Sequence, residues 1–301
     1  MIPIPNQTAN INILALFNII NHTLIYLRKD QDISTNTRII QAIRRFPHYR
    51  QIELSDYLSI PLPSVSMALG RMQDRGLVTL KRKSPPVLTE LGEKYYQPYF
   101  KKLEKDINGT FNKLPKKEKQ LLKSTFIELA ELCYPNHKNE EWDMSYAYFD
   151  VLNHFTSNIV KLTEDLNGFY RTLTLMYLSA TRYLTSEDIK TLICVYNIDT
   201  IRIMFTKLEK DNMITRKTDP MLISNYKRIE ITDKGREYYK EKSEEINTKW
   251  NGILLGPYSN REYTTRLFHN YANINQVAQS CILPKNPLNS RAYEKTHPDN
   301  Y

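Results

Sequence analysis

Hydrophobic positions along this chain recur at intervals of three and four far more often than at two. Between residues 11 and 27, Ile11, Leu14, Phe17, Ile20, Leu24 and Leu27 keep that spacing, and Ile13, Leu16, Ile19 and Ile25 add a second apolar face. A helix apolar on all sides is expected to be buried in a helix-helix or subunit interface. Asn12, Asn18, Asn21 and His22 interrupt the stretch and no basic segment precedes it, so it reads neither as a membrane span nor as a secretory signal. The other long periodic segments are rich in Leu, Ile, Glu and Lys, and the chain has only eight glycines. The pattern predicts a mainly helical protein with little strand.

One arrangement of these elements occurs twice. In the first copy, 54–58 gives a short helix, 59–61 a turn, and 63–75 a second helix with Pro63 in its first turn. Gly76 stops that helix, since a residue in the left-handed region is wanted there and glycine enters it without a Cβ penalty. Residues 77–80 form a strand, 81–86 a tight basic turn and 87–88 a return strand, and Thr89 caps the next helix. In the second copy, 185–188 cap a helix running to about 195, and 197–199 turn. Residues 200–211 form the second helix, and Asn212 stands where Gly76 stood. Strands are expected at 213–217 and 226–231, with Thr232-Asp233-Lys234-Gly235 answering Thr89-Glu90-Leu91-Gly92. The length difference between the copies falls wholly in the ribbon, where a surface hairpin tolerates insertion.

At about 150 residues per domain, 301 residues suggest two domains. The copies divide the chain into 1–136, 137–282 and a loosely ordered tail, 283–301. A formal charge of +9 leans towards a polyanionic partner. Residues 34–88 hold nine basic and three acidic side chains, and residues 171–231 hold ten and seven, so the surplus sits in the two repeated units. Cys133, Cys194 and Cys281 lie far apart with no zinc-ligand spacing, which argues for a reducing compartment and against disulfides. The six histidines form no HxxxH or HExxH pattern, so no metal is expected. There is no phosphate loop, nucleophile elbow or paired carboxylate to suggest an enzyme or a cofactor.

The two units resemble the MarR family of bacterial transcription regulators, including its SarA-like branch. The first set of matching residues is Leu54-Ser-Asp-Tyr-Leu58, Ser64-Val65-Ser66, Met72-Gln-Asp-Arg-Gly76-Leu77-Val78 and Leu88-Thr89-Glu-Leu-Gly92. The second is Ile201, Leu208-Glu-Lys-Asp-Asn212-Met-Ile-Thr-Arg216 and Ile231-Thr232-Asp-Lys-Gly235. The resemblance implies a mainly α fold with small β-wings (α+β), in which tandem winged helix-turn-helix units and their flanking helices form an intramolecular pseudo-dimer. It also implies a cytoplasmic regulator that reads an asymmetric site on double-stranded DNA, as a monomer with internal pseudo-two-fold or a homodimer. It allows for a small-molecule effector.

In a winged helix the second helix enters the major groove while neighbouring cations hold phosphates. The expected contacts of the first unit are Ser64, Ser66, Met67, Arg71 and Arg75 on the helix and Lys81, Arg82 and Lys83 on the wing. Those of the second are Thr200, Arg202, Lys207, Arg216, Lys217, Lys227 and Arg228. Two alternatives stay open: a plasmid replication initiator with two winged helices, and a winged-helix scaffold that binds protein.

Overall fold

A computed structural model of the chain describes residues 13–29, 33–133, 144–195, 197–218, 227–255 and 261–283. In chain order the helices and strands are α1 (Ile13–Arg28), α2 (Thr35–Arg45), α3 (Gln51–Leu58), α4 (Leu62–Asp74), β1 (Val78–Thr79), β2 (Val87–Leu88), α5 (Glu90–Phe111) and α6 (Lys116–Cys133). There follow α7 (Met144–Thr163), α8 (Leu166–Ser179), β3 (Leu184–Thr185), α9 (Ser186–Ile193), α10 (Ile198–Lys210), β4 (Ile214–Thr218), β5 (Lys227–Ile231), α11 (Asp233–Leu255) and α12 (Arg261–Val277). The described residues are mainly helical and carry two small antiparallel sheets, β1-β2 and β3-β5-β4. Among them no helix is long and apolar enough to cross a membrane. Ile11, the ribbon residues Asn225 and Tyr226, and the tail beyond Leu283 lie outside the described residues.

The helix boundaries follow from local chemistry. Helix α3 starts at Gln51, three residues before the expected start, because the Glu53 carboxylate accepts the Arg50 backbone N–H at 2.7 Å. Helix α10 starts at Ile198 and not Thr200. Asn197, expected in the turn, caps it by accepting the backbone N–H groups of Asp199 at 2.9 Å and Thr200 at 3.1 Å. The strand β3 has no counterpart in the hydrophobic pattern. It is two residues long and forms only because the longer ribbon offers β5 as a partner, pairing Leu184 with Ile229 and Thr185 with Arg228.

The repeat is reproduced hydrogen bond by hydrogen bond. Gly76 and Asn212 both have left-handed φ, +70° and +56°. The next residue donates back to the preceding helix in each copy, Leu77 N to Met72 O and Met213 N to Leu208 O, both at 2.8 Å. Thr89 donates its hydroxyl to Gly76 O at 2.6 Å and its N–H to Leu77 O at 3.1 Å. Thr232 does the same towards Asn212 O, at 2.7 Å, and Met213 O, at 3.0 Å. Each threonine hydroxyl also accepts from the glycine three residues on, Gly92 or Gly235, at 3.0 Å. Ser59 and Cys194 end α3 and α9 in the same left-handed conformation. The Thr-x-x-Gly motif therefore ties a hairpin, a helix end and a helix start together with one side chain.

The chain divides into two compact units, each built from separate stretches of sequence. One holds 25–119 together with the described part of 129–158; the other holds the described residues up to Leu24, residues 120–128 and those from 159 onwards. Each unit thus contains one repeat and part of the helix that precedes the other repeat. In the first, an apolar cluster of Ile39, Ile40, Ile43, Leu54, Leu58, Val65, Leu69, Met72 and Val78 joins α2, α3, α4 and β1. Helix α7 adds Asp150, fully buried, whose carboxylate accepts from Arg45 Nη2 and Tyr57 Oη, each at 2.7 Å. It also adds Asn153, whose Oδ1 accepts from Arg38 Nη2 at 2.8 Å.

In the second unit, helix α1 occupies the corresponding role. Phe17 packs edge-on against Trp250 and Tyr271, with ring centres 5.5 and 5.9 Å away. Of the polar residues that interrupt the apolar stretch, Asn18 and Asn21 are buried and His22 is half-buried, and all three form hydrogen bonds. Asn18 Nδ2 donates to Tyr177 Oη at 2.7 Å and to Leu192 O at 2.8 Å. His22 Nε2 lies 3.0 Å from Leu192 O, a group that can only accept, so Nε2 carries the proton and Nδ1 faces the Cys194 thiol at 3.4 Å. Burial holds the His22 pKa below its ordinary value, in keeping with a neutral ring.

Candidate nucleic-acid interface

The outer face of α4 follows from its helical period. Val65, Ala68, Leu69 and Met72 point into the core, which leaves Pro63, Met67, Arg71 and Arg75 on the opposite, exposed side. Met67 keeps 57% of its surface in solvent. Ser64 and Ser66 sit half-buried at the shoulders of this face. Beyond it the β1-β2 hairpin carries Lys81, Arg82 and Lys83 on an exposed turn that Lys83 closes with a left-handed φ of +62°. Among the described residues Arg71, Lys81, Arg82 and Lys83 have no acidic partner, so four cations project from one helix face and the adjoining turn with their charge uncompensated. Arg75 differs: its guanidinium lies over the Tyr95 ring, 5.1 Å from the ring centre, and donates to Tyr95 Oη at 3.2 Å.

A cleft of about 410 Å³ opens between the starts of α3 and α4 and the hairpin turn, with Lys81, Arg82 and Lys83 on its lining. It contains a side chain outside the expected set. Gln51, the first residue of α3, accepts the Ser66 hydroxyl on Oε1 at 2.7 Å. Nothing in the local pattern marks Gln51, because its meaning comes from a partner fifteen residues away on another helix.

The second unit places its expected residues differently. Arg202 and Lys207 do lie on the exposed face of α10, but Arg202 pairs with Asp199 at 2.9 Å and Lys207 with Asp211 at 3.2 Å. On the hairpin, Arg216 pairs with Glu209 and lies over the Phe205 ring, 5.8 Å from its centre. Arg228 pairs with Glu230 and lies 4.5 Å from the centre of the Tyr183 ring. Lys217 also reaches Glu230, at 3.0 Å. The hydrogen bond and charge of Arg216 hold the Glu209 carboxyl below its ordinary pKa. Glu230 is lowered as well, because Lys217 and Arg228 outweigh its burial. Among the described residues, Lys227 and Thr200 show neither an ion pair nor a ring contact, and Thr200 is half-buried. Carboxylates on α10, at its C-terminal end and on β5 thus pair with most of these cations. Surface ion pairs such as Arg202–Asp199 are worth little and break readily, whereas Arg216 and Arg228 are held by a ring as well.

Ile198 and Ile203, 72% and 63% exposed, complete the outer face of α10. The two outer helix faces therefore differ in kind, one cationic and the other charge-balanced with isoleucines. Among the described residues no three His, Cys, Asp or Glu side chains are grouped so as to hold a metal ion. Comparison of the chain with protein-family models, with curated proteins and with solved structures finds no match.

Proposed function

We propose that this chain is a sequence-specific regulator of transcription that binds double-stranded DNA through two non-identical winged helices of the MarR/SarA type, with the first making the dominant contact. The observation that carries this reading is the group of four uncompensated cations, Arg71, Lys81, Arg82 and Lys83, spread over the outer face of α4 and the adjoining hairpin turn. A helix of this diameter fits the major groove, and cations beside it release counterions from the flanking phosphates. The matched hydrogen bonds of the two Thr-x-x-Gly junctions support a duplicated unit. The helices exchanged between the repeats support a chain that does alone what a pair of subunits does elsewhere.

The test is band-shift titration on the DNA upstream of the coding sequence. Arg71→Ala is expected to weaken binding roughly five- to 150-fold, the range of one good base or phosphate contact. Arg202→Ala, whose charge Asp199 already answers, is expected to cost less. Unchanged affinity in both variants removes the major-groove assignment. A second reading is favoured for the second unit alone. Its paired cations and the exposed Ile198 and Ile203 suit a protein surface better than a phosphate backbone, and full affinity in Arg202→Ala together with Lys207→Ala speaks for it.

A further inference from the structure

We infer that Gln51, held in place by Ser66, reads an adenine in the major groove and sets the base preference of the first unit; this rests on the DNA-binding reading above. The cations around the cleft attract any phosphate backbone and carry no sequence information of their own. Gln51 is the neutral amide among them. The Arg50 charge beside it is taken up by Glu53, Nη2 to Oε1 at 2.7 Å, so that guanidinium is committed within its own helix turn.

The Ser66 hydroxyl donates to Gln51 Oε1 at 2.7 Å. A carbonyl oxygen accepts two hydrogen bonds, so Oε1 keeps one acceptor position and Nε2 keeps its two donors. An amide with one acceptor and one donor side by side matches adenine in the major groove, which offers the N6 amino group and the N7 acceptor. Ser66 is then a positioning residue. By fixing the amide rotamer from the neighbouring helix before DNA arrives, it lowers the ordering cost of the contact. Both side chains are half-buried and line the same cleft as Lys81, Arg82 and Lys83, so a backbone held by those cations runs past the amide.

The experiment is selection of bound sequences from random duplexes by the full chain, wild type against Gln51→Leu, Gln51→Glu and Ser66→Ala. Wild type is expected to select a site with one adenine position that Gln51→Leu no longer discriminates, a loss of roughly five- to 150-fold at that base pair. Gln51→Glu, with two acceptors, is expected to move the preference there from adenine to cytosine, whose N4 amino group donates. A misfolded variant cannot produce that switch. Ser66→Ala is expected to weaken discrimination at the same position while the salt dependence of binding stays as in wild type. A Gln51→Leu protein that selects the wild-type site unchanged overturns the inference and leaves the DNA-binding reading standing. A wild-type chain that selects no sequence overturns both.

Discussion

Gly92 and Gly235 are glycines for a reason of space. A Cβ on Gly92 would stand 2.0 Å from Leu77 O, and one on Gly235 2.2 Å from Met213 O, so each junction closes only because the atom is missing. Gly109, within α5, has nothing within 4 Å of the same position. Gly92→Ala is expected to destabilise the fold by more than about 2 kcal/mol, as an overpacked site does. Gly109→Ala is expected to stabilise it by about 0.5–1 kcal/mol through helix propensity. Urea midpoints of the two variants test the pair; equal midpoints would mean that the Thr-x-x-Gly junction is not tight. At this scale the sequence was highly legible. Positive φ at Gly76 and Asn212, and both threonine caps, follow from the residue types alone. What stayed hidden were long-range partners: Asn18 and His22 read as interruptions of an apolar run, and their acceptors Leu192 O and Tyr177 Oη lie about 160 residues or more away.

At the scale of elements, helix α7 brings a carboxylate into an apolar setting, and the consequence is a dependence on pH. Burial raises the Asp150 pKa from 3.8 to about 6, against the opposing pull of Arg45 and of the Tyr57 hydrogen bond. A folded-state pKa above the unfolded value means that the folded protein binds the proton more tightly. Asp150 therefore favours folding most below about pH 4, and that contribution is lost as pH rises towards 6. Glu209, Glu230 and Glu245 shift the other way, and their contributions are lost as pH falls. The difference between wild type and Asp150→Asn isolates the one term. Relative to Asp150→Asn, wild type is expected to lose stability between pH 4 and 6, read from urea midpoints at each pH. The opposite slope would mean that Arg45 wins over burial. Periodicity could not show which repeat α7 serves, because it fixes the face of a helix and not the surface it meets. The same limit hid β3, since two residues make no pattern of their own.

For the whole molecule, the question is how a surplus of +9 is spent. The count by segment gave +6 to residues 34–88 and +3 to 171–231, and the structure sharpens the contrast, because the second unit answers its own cations. Lys217 reaches Glu230 across the β4-β5 pair, a contact that depends on register and is invisible in composition, while Arg228 meets the same carboxylate from two residues away on its own strand. Four uncompensated cations in the first unit set a salt dependence of binding of roughly −0.9 per phosphate contact, a slope near −3 to −4 if all four engage. Arg82→Gln is expected to lower that slope by roughly one. Glu230→Gln makes the opposite demand: it frees Lys217 and Arg228 without adding a charge to either unit's helix face. If the second unit lies against DNA, the variant binds more tightly and its slope steepens by roughly one to two. A slope identical to wild type, measured on the same duplex between 50 and 200 mM salt, would place the second unit's hairpin away from phosphate and leave DNA contact to the first unit alone.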